Sequence, residues 1–181
     1  MTSLRLRLLW AMLLLMTLPP GLYATVDNPI VRGQFSLVGS GQLTWWGMTV
    51  YDAVLYAPEG IYRPETPHSL EITYRFSFTQ EQLASRSLAE IERLFGKRSD
   101  RDAVLAQFRS VFHDVVKGDR ITAVHSPGKG ADFFYGESPL GRIEDAALAA
   151  EFFSIWLHPE TSEPNLRSQL LGIRTASIGP E

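Results

Sequence analysis

The sequence predicts an α+β domain in which an antiparallel sheet carries a layer of helices on one face. Strand-like alternation occupies residues 35–76 and returns at 120–143, whereas helical spacing of apolar residues fills 79–115 and 145–172. This order of strands, helices, strands and helices is typical of α+β folds. The short turns between neighbouring strands favour antiparallel pairing.

The first strands are predicted from alternation and turn residues. Residues 35–38 open a strand, and the glycines of residues 39–41 are expected to form a tight turn. Residues 42–48 and 50–57 alternate imperfectly, which indicates two strands covered on one face and partly on the other. Residues 69–76 alternate most regularly between apolar and polar side chains, so another strand is predicted there.

Two amphipathic helices are predicted in the middle of the chain. Thr79 followed by Gln82 is a capping-box pattern, and apolar residues continue at helical spacing to Phe95. Ser99 repeats this start signal, and the spacing that follows it predicts a second helix as far as Val115.

The second half of the chain predicts three more strands and two more helices. Residues 120–125 are typical of a strand, and a Pro-Gly turn leads to two short strands at 131–135 and 140–143. Asp145 is a cap residue that begins a third helix, and a short fourth helix follows at 165–172.

Residues 1–24 are typical of a secretory signal peptide. Arg5 and Arg7 supply positive charge, residues 8–18 are apolar, and Ala24 is a small residue at the expected cleavage point. The apolar run is shorter than the roughly 20 residues that a membrane-spanning helix needs. We therefore expect cleavage rather than an uncleaved anchor, which is the alternative.

The rest of the chain is predicted to form one domain. We expect a mobile lead-in at residues 25–34, the domain itself at 35–173 and a flexible tail at 174–181. This length suits a single domain with its own core. No second apolar span follows the signal peptide, so no transmembrane segment is expected in the mature chain.

Composition excludes several classes of function. The chain has no cysteine, which excludes disulfides, thiol catalysis and thiolate metal sites. An exported chain without disulfides favours a bacterial periplasm. The net charge is −3 and the charges are dispersed, so the electrostatic signature of nucleic-acid binding is missing.

A cluster of aromatic residues is the main candidate for a binding site. Trp45, Trp46, Tyr51 and Tyr56 fall within two adjoining predicted strands, and such rings can line an apolar ligand cavity. The alternative is that they fill the core. Tyr74 and its neighbour Arg75 must lie on opposite faces of their strand, so only one of them can face the helices.

Other kinds of site are not supported by spacing. The four histidines lie on distant predicted elements, so no metal site is expected. A Gly-x-Ser-x-Gly elbow, which a serine hydrolase of the α/β class needs, is missing. The glycine-rich segments at 39–41 and 126–130 lack the lysine-Ser/Thr pair of a phosphate loop, so they are expected to be hairpin turns. No cofactor is expected.

Several short motifs, in their order and spacing, resemble those of bacterial chalcone-isomerase-like proteins. The resemblance covers residues 35–172. The motifs that carry it are glycines 39 and 41, residues 50–56, Phe108 and Phe112, residues 117–119, residues 127–130, Gly141 and Ile143, residues 152–157 and residues 166–172. It implies an open-faced β-sandwich, a large antiparallel sheet with helices on one face.

The resemblance also implies which residues would act in catalysis. The arginine that holds the substrate in the plant isomerase falls on Gln42 or Leu43. Its tyrosine and asparagine fall near Leu83 and Glu90, and its threonine falls near Ile155. Stabilising a phenolate or enolate needs a cation or prearranged donors, so chalcone cyclisation is not expected. Fatty-acid-binding relatives are expected to hold a carboxylate with an arginine and a tyrosine.

The sequence thus predicts a periplasmic, non-catalytic binder of a hydrophobic small molecule such as a fatty acid or lipid. Gln42, Trp45, Tyr51 and Tyr74 are the predicted ligand-binding residues. One alternative is an isomerase or lyase that acts on a small unsaturated, flavonoid-like substrate. Another is an envelope accessory protein that binds no ligand.

Overall fold

The computed structural model describes residues 35–173. The predicted signal peptide at 1–24 and the lead-in and tail at 25–34 and 174–181 lie outside these residues. The strands are β1 (Ser36–Trp45), β2 (Met48–Ala57), β3 (His68–Tyr74), β4 (Arg120–Ser126), β5 (Gly130–Tyr135) and β6 (Ser138–Ile143). The helices are α1 (Gln80–Phe95), α2 (Arg101–Val111), α3 (Ala146–Leu157) and α4 (Pro164–Leu170).

The six strands form one antiparallel sheet in the order β1-β2-β3-β4-β5-β6. Two helices, α1 and α2, connect β3 to β4, whereas α3 and α4 follow β6. The predicted α+β class is confirmed. None of the described helices combines the length and apolar composition that crossing a bilayer requires.

The helices cover one face of the sheet because the strands place apolar residues there at every second position. Ala53 and Leu55 of β2 are fully buried, and Leu70 of β3, which opposes Leu55, is 1% exposed. The rings of Phe108, Phe133 and Phe152 join the helices to this face. The core therefore lies between the sheet and the helical layer.

The glycines at 39 and 41 do not form a turn, contrary to the sequence prediction. They lie inside β1, where α4 packs directly on the strand: a Cβ on Gly39 would come 2.3 Å from the carbonyl oxygen of Gln169. These positions need glycine because of this close approach. The turn between β1 and β2 is instead formed by Trp46 and Gly47, whose φ angles of 51° and 76° are typical of a two-residue type I′ hairpin.

The predicted starts of α1 and α3 are confirmed. Thr79 and Gln82 form a complete capping box at the start of α1, and the Asp145 carboxylate accepts hydrogen bonds from the first turn of α3. The predicted extension of α2 to Val115 is wrong. The Gln80 side chain donates to the carbonyls of Arg109 and Phe112, which ends α2 at Val111.

Candidate functional site

A cavity of about 510 Å³ lies between strands β1–β4 of the sheet and helices α1 and α3. Pockets that hold small molecules have volumes of about 300–1,000 Å³. Most of the wall is apolar: it comprises Leu43, Val50, Leu70, Ile72, Phe78, Leu83, Phe112, Ile121, Ala123, Phe152 and Ile155. The space therefore suits a hydrophobic molecule.

Two tyrosines provide polar groups inside this wall. Tyr51 and Tyr74 oppose each other on β2 and β3, with ring centroids 6.3 Å apart. Trp156 Nε1 donates a 2.8 Å hydrogen bond to the Tyr51 hydroxyl, which keeps its own hydrogen available to a ligand. Within residues 35–173 the Tyr74 hydroxyl has no hydrogen-bond partner.

Both hydroxyls stay protonated at neutral pH. Burial raises the pKa of the Tyr51 phenol, and the hydrogen bond from Trp156 lowers it only in part. Burial also raises the pKa of Tyr74, with a further contribution from Tyr51. The tyrosines thus act as neutral donors that can bond a carboxylate or carbonyl oxygen.

Charged side chains also border the cavity. Arg86, whose side chain is 70% exposed, forms a 2.6 Å ion pair with Glu90. Burial favours the neutral form of Glu90, but hydrogen bonds from Arg93 and Ser162 and the charge of Arg86 outweigh it and lower its pKa. Glu163 has a raised pKa because it is partly buried and faces Glu90. Glu90 is only 6% exposed, so the cavity wall carries a buried negative charge beside the exposed Arg86.

Three of the four predicted binding residues border the cavity. Tyr51 and Tyr74 form part of its wall, and Trp45, which is 66% exposed, lies where the wall meets solvent. Gln42 does not line it. Gln42 opposes Asp52, which lies on the other face of β2 from Tyr51, and Gln42 Nε2 donates to Asp52 Oδ1 at 2.7 Å. The prediction placed Gln42 on the wrong face of the sheet.

The aromatic cluster predicted before residue 57 is divided between different surroundings. Tyr56 lies five residues after Tyr51 on β2 and therefore on the opposite face, where it packs against Val124 and Phe134. Trp46 occupies the hairpin turn and is 85% exposed. Of the four rings considered as a cavity lining, Trp45 and Tyr51 therefore border the cavity, whereas Tyr56 and Trp46 do not.

Sequence reasoning missed the contributions of the helices to the site. Gln82, Arg86 and Glu90 border the cavity and recur every four residues along α1, so this polar stripe beside Leu83 was a usable signal. Trp156 lies in an almost wholly apolar helix, where nothing in the pattern separates it from core residues. Within the described part of the chain, no group of three potential metal ligands converges.

A model of the chalcone isomerase-like family matches residues 25–172. The chain belongs to this family. A protein of Haemophilus influenzae, described as uncharacterized, is 28% identical over 136 residues, which is 75% of this chain and 67% of that protein. The crystal structure of a fatty-acid binding protein of Arabidopsis thaliana is similar with a TM-score of 0.60 and 14% identity, over 76% of this chain and 87% of that one. The predicted resemblance and fold are confirmed.

The chalcone isomerase-like fold makes it possible to locate the positions that the resemblance assigns to catalysis. Leu43, Leu83 and Ile155 contribute apolar wall to the cavity, and Gln42 lies outside it. Among the cavity-lining residues that the structure describes, Arg86 is the one cation, and it lies at the rim. The interior thus offers neutral hydrogen-bond donors and no cation to stabilise a developing anion.

Proposed function

We propose that this chalcone isomerase-like protein binds a hydrophobic molecule with a polar end, such as a fatty acid, without catalysing its conversion. The observation that carries the proposal is the apolar cavity of about 510 Å³ with two protonated tyrosine hydroxyls in its wall. The similar fold of a plant protein described as a fatty-acid binding protein also supports it.

The acyl chain would lie against the aliphatic and phenylalanine side chains of the wall. Its carboxylate would accept hydrogen bonds from Tyr51 and Tyr74, and bonds to an ionised acceptor are stronger than neutral ones. Arg86 is exposed enough to turn toward the same carboxylate if it leaves Glu90.

We also propose that the protein lies in the bacterial periplasm, because residues 1–24 have the pattern of a signal peptide and the chain has no cysteine.

Calorimetric titration with saturated fatty acids of increasing length tests this proposal. Each methylene group moved from water into an apolar wall contributes about 0.8 kcal/mol, so the affinity is expected to rise about fourfold per methylene until the cavity is full. A flat response to chain length, or no binding at any length, would contradict the proposal. Titration into buffer without protein corrects for ligand aggregation at the longer lengths.

A second candidate is an isomerase or lyase that acts on a small unsaturated substrate. The observation in its favour is Glu163, a cavity-lining carboxyl whose raised pKa suits a role in proton transfer. A panel of enones incubated with the protein tests this candidate. Turnover that disappears in Glu163→Gln would support it, and the lack of turnover across the panel would remove it.

A further inference from the structure

The tip of the β1–β2 hairpin carries large apolar side chains in water. Trp45, Trp46 and Met48 are 66%, 85% and 52% exposed. The two indole rings meet edge to face at 6.2 Å, so they make one contiguous aromatic surface. Exposing a pair of tryptophans at one turn is energetically unfavourable for a protein that stays in bulk water.

Further apolar side chains lie at the same end of the sheet. Phe76 follows β3 and is 43% exposed, and Val116, just before β4, is 57% exposed. Both segments are tied to this end by the backbone: Arg75 N donates to the Val50 carbonyl, and Gly118 N donates to the Tyr74 carbonyl. We call Trp45, Trp46, Met48, Phe76 and Val116 the hairpin patch.

An exposed cation lies beside the hairpin patch. Lys117 is exposed and has no ion-pair partner within residues 35–173. Asp52 pairs with Arg75, whereas Asp114 and Asp119 accept hydrogen bonds from the backbone N–H groups of Gln80 and Val116 and keep their negative charge. The surroundings of the hairpin patch therefore carry charges of both signs, and Lys117 is the cation that can meet an anionic headgroup.

The hairpin patch also adjoins the cavity. Trp45 belongs both to the exposed tip and to the cavity wall, together with its neighbours Thr44 and Val50. A molecule that leaves the cavity beside Trp45 therefore reaches the hairpin patch before it reaches open water. Tryptophan prefers the boundary between headgroups and acyl chains, because its ring is apolar and its N–H needs a polar partner.

We propose that the hairpin patch docks on the surface of a lipid bilayer, with Trp45 and Trp46 inserted at the headgroup boundary and Lys117 against anionic headgroups. The docked protein would exchange its hydrophobic ligand with the bilayer past Trp45. This exchange step rests on the proposed function, whereas the docking step does not.

Quenching of tryptophan fluorescence by brominated lipid tests the docking. The full chain with Trp10→Phe, which removes the tryptophan of the N-terminal segment, is mixed with vesicles of phosphatidylcholine and phosphatidylglycerol that carry bromine on the acyl chains. Trp45 and Trp46 are expected to shift their emission to shorter wavelength and to lose roughly half of it or more, since inserted rings contact the quencher. Replacing both by phenylalanine should remove the shift to shorter wavelength and the loss that comes from the tip. Trp156 is 8% exposed and lines the cavity, so any quenching that remains would report brominated chains inside the cavity.

Ile61 supplies the matched control. It is 48% exposed and follows the other end of β2, a strand of 10 residues that is about 30 Å long. In the variant without tip tryptophans, Ile61→Trp is expected to show no quenching. Equal quenching of the tryptophan at 61 and of those at the tip, or none at the tip, would overturn the docking. Thermal melts confirm that each variant folds.

Self-association through the hairpin patch would give a different result from docking on a bilayer. A blue shift that depends on protein concentration without vesicles, together with a doubled mass in light scattering, would assign the hairpin patch to a second copy of the chain and overturn the docking.

Docking and ligand binding can fail separately. Fatty-acid binding in solution without tip quenching would overturn the docking and leave the proposed function intact. Tip quenching without fatty-acid binding would support the docking and contradict the proposed function.

Discussion

Tyr51 and Tyr74 carry the polar chemistry of the cavity, and they differ in one respect. The Tyr51 hydroxyl accepts a hydrogen bond from Trp156, whereas the Tyr74 hydroxyl has no partner within residues 35–173. The alternation of β-strands predicted that Tyr74 and Arg75 face opposite ways, and the structure agrees: Tyr74 borders the cavity, and Arg75 pairs with Asp52. The same rule separates Gln42 from Trp45, which lies three residues later on the same strand, so the sequence alone already argued against both lining one cavity.

The two tyrosines should respond differently to loss of the hydroxyl. Tyr51→Phe leaves the buried Trp156 N–H unpaired and is expected to lower the free energy of unfolding by about 1–3 kcal/mol. Tyr74→Phe should leave the free energy of unfolding unchanged within about 0.5 kcal/mol. Both should weaken fatty-acid binding by roughly tenfold, because a hydrogen bond to the carboxylate is lost. Denaturant melts and calorimetry measure the two effects, and equal destabilisation by both variants would contradict the difference between the two hydroxyls.

At the level of elements, two of the three local helix-start signals were right, whereas the Ser99 signal was wrong because Asp100 is the N-cap of α2 and makes no side-chain cap hydrogen bond. Contacts between distant segments were not predictable. The caps of α1 and α3 involve residues within three positions of each other, so the sequence displays them. The end of α2 depends on Gln80, which lies about thirty residues earlier in the chain, and sequence spacing could not reveal it. The prediction for the glycines of β1 also failed because of a contact with a distant segment, since the close packing of α4 on β1 requires glycine there.

The contact between α4 and β1 gives a prediction about Gly39. A methyl group at this position would overlap the backbone carbonyl of Gln169, so Gly39→Ala is expected to destabilise the protein by about 1–3 kcal/mol. Ser40→Ala, on the exposed next residue of β1, should change the free energy of unfolding by less than about 0.5 kcal/mol. Denaturant midpoints of the two variants measure the difference. Equal midpoints would mean that α4 does not pack on β1 as described.

At the scale of the whole molecule, stability should depend on a buried pair of histidines. His68 and His125 oppose each other on β3 and β4, and their rings lie 4.8 Å apart beneath Phe153. The His68 Nδ1 contacts the Thr66 carbonyl, but neither ring nitrogen of His125 has a partner within residues 35–173. Burial lowers the pKa of both rings, and the neighbouring His68 lowers that of His125 further, to about 4.

The pH dependence of stability follows from the sign of these pKa shifts. Between about pH 6.5 and pH 4 the unfolded chain binds protons at these histidines while the folded protein does not, so stability should fall as the pH is lowered through this range. His125→Phe keeps the aromatic contact with Phe153 and should flatten the dependence of stability on pH. His113→Asn should leave this dependence unchanged. The free energy of unfolding at several pH values measures this dependence. A slope as steep in His125→Phe as in the unaltered protein would contradict the role of the pair.

The overall architecture was predictable because the order of strand and helix patterns decides the layers of an α+β fold. The volume of the cavity was not predictable, since it depends on the distance of α1 and α3 from the sheet, which side-chain spacing does not encode.

Ligand binding inside this cavity is the central proposal. Ala123 lies in the wall on β4 and is 4% exposed, so a larger side chain at this position would occupy the cavity itself.

The chain-length titration repeated on Ala123→Phe tests this proposal most directly. We expect fatty-acid affinity to fall at least tenfold and the gain per methylene to stop at a shorter chain, since less apolar wall remains. Ala106→Phe, on the exposed side of α2, should bind as the unaltered protein does. Unchanged affinity and chain-length dependence in a folded Ala123→Phe variant would contradict binding within the cavity.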